Sequence, residues 1–332
     1  MSALKTILVA GSANLDFVVQ AAHIPAPGQT VLGRSFQTFP GGKGANQAVA
    51  CARAGGVATR MLLALGDDAF AAPIEASLRS AGVELFLIRK AAQPTGVALI
   101  CVADDGENAI TVAPGANALL SVADLPSLAG VSHLLLQLEI PLATVLAYAA
   151  AARAAGVAVV LNAAPAQALP AELLALVDIL VLNEGELAAV AKVQGTLAQR
   201  MASLAVPTVV TTLGARGCCA LVQGRWWTQP AYAVAVLDTT AAGDTFCGML
   251  VAALSQEQDQ GQGFQAALAL ASAAAALACT QYGAQGSIPT RAQVEAFMRA
   301  QPLPAPHQPP LQSIAGEPQF IAPSIVGPPK GT

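Results

Sequence analysis

The chain has 332 residues, of which 55% are hydrophobic and 11% are charged, and its formal net charge is −4. This composition excludes a disordered chain and supplies enough apolar residues for a large buried core. The slight negative charge argues against nucleic-acid binding, and no apolar run is long enough to predict a membrane span.

The N-terminal segment and the cysteines indicate the compartment. Residues 1–16 contain an apolar run but lack the length and cleavage pattern of a signal peptide. The six cysteines form no C-x-x-C pair, which favours buried thiols in a reducing compartment over zinc ligands. We therefore expect a cytoplasmic protein.

Apolar runs typical of buried strands alternate along the chain with alanine-rich segments typical of helices. The strands are predicted at 6–10, 97–102, 133–138, 157–161, 179–182 and 208–212. The helices are predicted at 44–54, 69–81, 142–155 and 185–192. Continuous apolar strands separated by helices are typical of a parallel sheet covered on both faces, so we predict an α/β fold.

Three other segments have a different character. The stretches 31–39, 96–104 and 107–114 are short, rich in β-forming residues and separated by turn residues such as Asp105-Gly106. They predict an antiparallel hairpin system, and so a small accessory sheet beside the α/β body.

The C-terminal segment differs from the rest in composition. From about residue 301 the chain is rich in proline and has no hydrophobic periodicity. We therefore predict one domain over 1–300 and a disordered tail over 301–332.

Two polar motifs precede residue 60. "GSANLD" (11–16) directly follows the first strand, where Asn14 and Asp16 are suited to bind hydroxyl groups or, alternatively, to form a turn. "PGGKGANQAVACARAG" (40–55) places paired glycines before a helix with Lys43 and Asn46 in its first turn. Free N–H groups at that helix start can bind a polar ligand, although a glycine pair can also be purely structural.

Two further motifs follow later strands. In "LNEGE" (182–186), Asn183 and Glu186 come after an apolar strand, and Asn183 is equally suited to cap a helix. In "TTLGARG" (211–217), Thr212 and the glycines can meet a phosphate or ribose, or can form a simple turn.

The segment "LDTTAAGDTFCGMLVAAL" (237–254) predicts a helix over about 242–254, with Asp244 in its first turn. The N–H groups of Ala242, Gly243 and Asp244 form an array suited to charge that develops during group transfer. A carboxylate in the same turn can take a proton from a hydroxyl, which is what phosphoryl transfer from ATP to a sugar requires. The alternative is an aspartate that only complements the helix dipole.

Together and in this order, these five motifs resemble those of the PfkB-type carbohydrate kinases, the ribokinase-like family. The resemblance covers about residues 5–298. It implies a three-layer α/β/α body with a mostly parallel central sheet. It also implies a small β-sheet lid with strands from about 14–20, 31–39 and 96–114.

The resemblance also implies an activity, namely ATP-dependent phosphorylation of D-ribose at its 5-hydroxyl. It makes Asp244 the base, with Gly243 and Ala242 in the anion hole. The sugar-binding residues it implies, besides Asp244, are Asn14, Asp16, Gly42, Lys43, Asn46 and Glu139. A kinase for another pentose or a nucleoside, or a catalytically inactive sugar sensor, remains an alternative.

For the nucleotide, the resemblance implies Mg²⁺-ATP. The residues it assigns to ATP are Asn183, Glu186, Thr212, Gly214, Gly217, Gly243 and Ser272. It further implies an activating K⁺ ion held by Asp238, Thr240, Ala278, Gln281, Gly283 and Ser287. A homodimer joined through the lid sheets is also expected.

The sequence departs from the family pattern at two positions, and at a third it has a variant that other members of the family also have. Ser272 stands where relatives place an amide or imidazole near adenine, which concerns nucleotide affinity and not the chemistry. Ala163 stands where proline is usual, and Ala241 where many relatives have glycine.

Overall fold

The computed structural model describes residues 6–90, 92–256 and 263–301. The predicted disordered tail, 301–332, lies outside these residues apart from Gln301, so the tail and the domain boundary before it stay predictions. Within the described ranges, no helix combines the length and apolar character needed to cross a membrane.

Thirteen strands form two sheets in the described part of the chain. In chain order they are β1 (Thr6–Ala10), β2 (Asn14–Gln20), β3 (Ser35–Gly41), β4 (Thr59–Leu65), β5 (Glu84–Arg89), β6 (Gly96–Val102), β7 (Asn108–Ala113), β8 (Val131–Leu136), β9 (Ala158–Asn162), β10 (Ile179–Asn183), β11 (Thr208–Thr212), β12 (Cys218–Val222) and β13 (Arg225–Gln229). The central sheet has the order β13-β12-β11-β10-β9-β8-β1-β4-β5. Its pairs are parallel except β11–β12 and β12–β13, which confirms the mostly parallel sheet.

Helices cover both faces of this sheet. They are α1 (Lys43–Val49), α2 (Ala71–Ser80), α3 (Leu142–Ala154), α4 (Ala171–Leu174), α5 (Glu184–Val190), α6 (Leu197–Ala202), α7 (Ala242–Gln256), α8 (Gly263–Ala278) and α9 (Arg291–Ala300). On β1, Ile7 and Val9 pack into the core shared with α1, α7 and α8, whereas Leu8 and Ala10 pack into the core shared with α3 and α5. This alternation buries both faces of the strand, so the predicted three layers are confirmed.

The second sheet, called the lid sheet here, has the order β3-β2-β6-β7. The strands predicted from 14–20 and within 96–114 are confirmed. The strand expected at 31–39 instead runs over Ser35–Gly41. The reason is pairing: β2 ends at Gln20, which is opposite Ser35, so residues before Ser35 have no partner strand.

The parallel strands bring the sequence motifs to one edge of the central sheet. The segments 11–16, 137–139, 162–164 and 211–217 each lie at the carboxyl end of β1, β8, β9 or β11. This edge is where open α/β sheets bind ligands, and the N-termini of α1 and α7 lie there as well.

Candidate active site

Asp244 lies in the first turn of α7 with its carboxylate directed at α1. Only 7% of the residue is exposed. Asn46 donates its Nδ2 hydrogen to Asp244 Oδ2, and Gln47 donates its Nε2 hydrogen to Asp244 Oδ1, each over 2.9 Å. Each oxygen therefore accepts one amide hydrogen bond and keeps a lone pair for another donor.

A second group of polar residues lies between the lid sheet and the body. Glu139 Oε2 accepts hydrogen bonds from the Ser12 hydroxyl (2.5 Å) and the Lys43 backbone N–H (3.1 Å). Asp16, on β2, interacts electrostatically with Glu139, Lys43 and Asp244. The predicted sugar-binding residues from three distant segments thus form one charged cluster.

Two glycines make this arrangement possible. A side chain at Gly41 would collide with the Asp16 carboxylate. Gly42 has a φ of +89°, which disfavours any other residue, and a Cβ there would come within 2.8 Å of Asn14 N. The glycine pair therefore lets β3 and the start of α1 lie directly against residues 13–16.

Asn14 is oriented by a residue outside the sequence motifs. Asn117 donates its Nδ2 hydrogens to Asn14 Oδ1 (2.8 Å) and to Ala13 O (3.2 Å), and its Oδ1 accepts the Ala13 N–H. Because Asn14 Oδ1 is occupied in this way, its Nδ2 is the group left to donate to a ligand.

The crowding of carboxylates shifts several pKa values. Burial, followed by the neighbouring Glu139 and Asp244, raises the pKa of Asp16 to about 7 although Lys43 opposes the shift. Burial alone would lower the pKa of Lys43, but the surrounding carboxylates, Asp244 foremost, raise it above its ordinary value. Lys43 is therefore a permanent cation at the centre of the cluster.

A cavity of about 210 Å³ opens on the other side of Asp244. Predicted ATP-binding residues make up part of its wall. The lining consists of Lys43, Asn162, Ala164, Val181, Leu182, Asn183, Glu186, Thr212, Thr239, Ala241, Gly243 and Asp244. Asp244 and Lys43 belong both to this wall and to the polar cluster, so they lie between the two halves of the site.

Asn183 and Glu186 form the N-terminal cap of α5. Asn183 Oδ1 accepts the Glu186 N–H and Glu186 Oε2 accepts the Asn183 N–H, both at 2.8 Å. The capping alternative for Asn183 is therefore confirmed, and Glu186 still faces the cavity. Burial raises the pKa of Glu186, although the Asn183 N–H and Lys43 favour its ionised form.

The remaining predicted ATP-binding residues lie beyond this cavity. Gly214 begins a 3₁₀ turn after β11, and Gly217 closes that turn with a φ of +93°. Ser272 on α8 is buried, with its hydroxyl 3.9 Å from Cys218 Sγ. None of these three is among the residues that line this cavity.

The turn that leads into α7 differs from the expected array in one respect. The Ala242 N–H is donated to Thr239 O over 3.2 Å, so it does not point into the cavity as predicted. The N–H groups of Gly243 and Asp244 have no acceptor among the described residues. Ala241 has a φ of +59°, a left-handed conformation that explains why glycine suits this position.

The two loops predicted to hold a monovalent cation are joined by hydrogen bonds. Asp238 Oδ2 accepts the Gly283 N–H (2.9 Å), and Asp238 Oδ1 accepts both the N–H and the hydroxyl of Thr240 (2.9 and 2.6 Å). The Leu237 N–H is donated to Cys279 O (2.8 Å). The predicted ligands at 238–240 and 278–287 are thus adjacent.

Residues 4–291 match the sequence profile of the pfkB family of carbohydrate kinases. The chain belongs to this family. It is 40% identical to a ribokinase of Haemophilus influenzae and 35% identical to one of Staphylococcus aureus. These alignments cover 89% and 87% of this chain, and 98% of each relative. A structure of Arabidopsis thaliana ribokinase complexed with ribose and ATP superposes with a TM-score of 0.80. It is 33% identical, and the match covers 90% of this chain and 99% of that one.

Several polar residues of this pfkB kinase were not predicted as part of its site. Gln47, Gln137 and Asn162 are buried and hydrogen-bonded beneath Asp244, and Asn117 supports Asn14. Gln47 lies one position after a predicted ligand, but nothing in the motif indicates which way it points. A polar residue at the carboxyl end of an apolar strand is the only sequence signal that Gln137 and Asn162 offer.

The raised pKa of Asp16 predicts a pH-dependent cost to the stability of this pfkB kinase. An unfolded aspartate titrates near 3.8, so between about pH 4 and 7 the folded state retains a proton that the unfolded state releases. The contribution of Asp16 to stability therefore falls as pH rises through that window. At pH 8 we expect Asp16→Asn to have a higher melting temperature than the unmodified protein. The difference in melting temperature should be larger at pH 8 than at pH 4.5, by at least about 2 °C.

Asp68→Asn is the matched control for this comparison. Burial alone would raise the pKa of Asp68, but hydrogen bonds from Thr95 and Phe70 lower it below the ordinary value. The contribution of Asp68 to folding stability is therefore present at both pH values. Thermal melts of the three proteins at both pH values decide the question. The interpretation fails if the melting difference for Asp16→Asn does not grow between pH 4.5 and 8.

Proposed function

We propose that this chain is an ATP-dependent kinase that phosphorylates D-ribose at its 5-hydroxyl, giving ribose 5-phosphate and ADP. One observation carries the proposal: Asp244 is hydrogen-bonded to α1 beside the polar cluster and also lines the cavity of about 210 Å³. A single carboxylate thus faces both a place for a sugar and a place for phosphates. The identity to known ribokinases supports ribose as the sugar.

In this proposal the sugar lies between the lid sheet and α1. Asp16, Asn14 and Glu139 bind its hydroxyl groups, and Gly42, Lys43 and Asn46 contact it from the start of α1. Asp244 accepts the proton of the 5-hydroxyl while that oxygen bonds to the γ-phosphorus and the bond to ADP breaks. The N–H groups of Gly243 and Asp244 and the Lys43 ammonium stabilise the charge on the transferring group.

The residues beside the cavity also fit a magnesium ion that arrives with ATP. Glu186 lines the cavity and its Oε2 accepts the Asn183 N–H, so Oε1 would be the atom that binds the ion. No set of three or more His, Cys, Asp or Glu side chains in the described ranges is placed to hold a metal alone. That is expected for Mg²⁺, which binds through one or two carboxylates and substrate phosphates and neutralises phosphate charge. Thr212, Gly214, Gly217 and Ser272 would lie along the rest of the nucleotide.

We also propose that K⁺ activates the enzyme from the two joined loops. Carbonyl and side-chain oxygens of Asp238, Thr240, Ala278, Gln281, Gly283 and Ser287 would surround the ion. It would fix the loop that ends at Ala241 and so preorganise the N–H groups of Gly243 and Asp244. We expect turnover in K⁺ to exceed that in Na⁺ or an organic cation several-fold at equal ionic strength.

Asp238→Ala is expected to abolish this cation dependence and leave a weak basal rate, because it removes the carboxylate that joins the loops. Turnover measured across the three cations for both proteins is the test. Activity that ignores the cation, combined with a variant that only melts lower, would show that Asp238 merely stabilises the loop.

We also propose that the chain forms a homodimer through its lid sheets, because the lid sheet has an exposed apolar face. Ile110 and Val112 of β7 are 55% and 41% exposed, and strand pairing places them on the same face as Asp16 and Ala98. A second lid sheet packed on this apolar face would also shield the sugar from water. Sedimentation velocity distinguishes this dimer from a monomer. The cytoplasmic location stays a prediction.

A coupled assay of ADP release over pentoses, hexoses and nucleosides tests the proposed function. We expect ribose to give the highest kcat/KM. A nucleoside or another sugar as the best substrate would replace ribose, and ATP binding without turnover on any acceptor would indicate a sensor.

A further inference from the structure

The side chain of Gln47 lies beneath the Asp244 carboxylate and has no unsatisfied hydrogen-bonding group. Its Nε2 donates to Asp244 Oδ1 and to Asn162 Oδ1, both over 2.9 Å. Its Oε1 accepts from Gln137 Nε2 over 2.6 Å. Gln47 and Gln137 are both 0% exposed, so neither presents a polar atom to a sugar or a nucleotide.

A backbone carbonyl fixes the direction of this chain of amides. Asn162 donates its Nδ2 to Val181 O over 3.1 Å, and a carbonyl can only accept. The Oδ1 of Asn162 must therefore face Gln47, which in turn must present its NH₂ group to Asn162 and to Asp244. The pairing of β9 with β10 thus determines that a donor faces the carboxylate.

Asn46 and Gln47, the two donors to Asp244, differ in whether their remaining polar groups are already hydrogen-bonded. Asn46 Oδ1 is buried and has no hydrogen-bond partner among the described residues, and Asn46 is a proposed sugar ligand. Its hydrogen bonds can therefore change when sugar binds. Gln47 has every hydrogen-bonding group engaged and no access to the ligand. Gln47 is therefore the donor that can hold the carboxylate before, during and after sugar binding.

We infer that Gln47 is a positioning residue that holds the Asp244 carboxylate with one lone pair aimed at the attacking hydroxyl. The inference rests on the proposed role of Asp244 as the base. Reacting groups lose rate steeply when displaced by about 1 Å, so the loss of this one contact should slow proton transfer without weakening sugar binding.

The test is a double-mutant cycle between Gln47 and Asp244. Gln47→Met keeps the length and bulk of the side chain but cannot donate a hydrogen bond. We expect it to lower kcat by about 10–100-fold while the Kd for the sugar, measured by calorimetry without ATP, changes less than about 3-fold. In the Asp244→Asn background the same substitution should change kcat by less than about 2-fold, because no base remains to be positioned.

Gln229→Met is the matched control, since Gln229 is also a buried glutamine but lies at the end of β13, away from the cavity. Its Nε2 donates to Pro230 O, and its Oε1 accepts from Gln265 Nε2. It should leave kcat unchanged. If Gln47→Met does not fold, Gln47→Asn keeps a buried amide that is one methylene too short to reach Asp244, and the same non-additivity is expected.

A normal kcat for Gln47→Met, or an equal loss in both backgrounds, would overturn the inference. All variants are assayed with whichever acceptor the ADP-release panel identifies as the best. Failure of ribose as the substrate therefore remains distinct from failure of Gln47 as a positioning residue.

Discussion

Asp244→Asn is expected to lower kcat by about 10²–10⁴-fold while most of the affinity for ribose is retained. Asparagine has nearly the same size and can still accept a hydrogen bond from Gln47, but it cannot take a proton from the 5-hydroxyl. ADP release gives kcat, and calorimetry without ATP gives the Kd for ribose.

The substitution also places an amide NH₂ near Asn46 Nδ2, which now donates to Asp244 Oδ2. A thermal melt must therefore accompany the kinetics to show that the variant is folded. Near-normal turnover in a folded variant would exclude Asp244 as the base.

Asp16→Ala is expected to have the opposite kinetic pattern, a KM for ribose raised by about 100-fold or more. Asp16 is 7% exposed and lies in the polar cluster, and a buried site built to bind a hydroxyl discriminates strongly when one partner is missing. For the same reason 2-deoxyribose should be a much poorer substrate than ribose. The alanine variant should discriminate less between the two sugars.

Asp105→Ala is a suitable control because Asp105 is an exposed carboxylate in the turn between β6 and β7 of the same lid sheet. It should not change KM. Equal kcat/KM values for ribose and 2-deoxyribose with the unmodified enzyme would point to a different natural substrate.

Elements of the fold could be predicted from sequence wherever a single segment had a clear hydrophobic pattern of its own. The apolar runs at 6–10 and 208–212 are strands with those bounds, and the helix expected at 242–254 is Ala242–Gln256. Strands β4, β5, β12 and β13 were not predicted. The bounds of β12 and β13 depend on pairing around the Gln223-Gly224 turn, which no local pattern indicates.

The candidate site could be predicted where its polar residues come shortly after a strand or begin a helix, as Asp16 and Asp244 do. Its supporting residues were not, because their partners are far away in sequence. Gln137 bonds to Gln47 across 90 residues, and Asn117 bonds to Asn14 across 103. Ala242 is a residue whose role was predicted wrongly. Its N–H was expected in the anion hole, but it donates to Thr239 O within the turn before α7.

In the proposed reaction the phosphoryl group passes from ATP to the 5-hydroxyl of ribose. The most direct measurement is NMR of the product formed from ATP and ribose labelled with ¹³C at C5. We expect a phosphomonoester whose phosphorus is coupled to the labelled carbon, formed at a rate that Asp244→Asn lowers by about 10²–10⁴-fold. A sugar phosphate whose phosphorus is not coupled to the labelled carbon, or no sugar phosphate in the presence of folded protein, Mg²⁺ and K⁺, would contradict the proposed reaction.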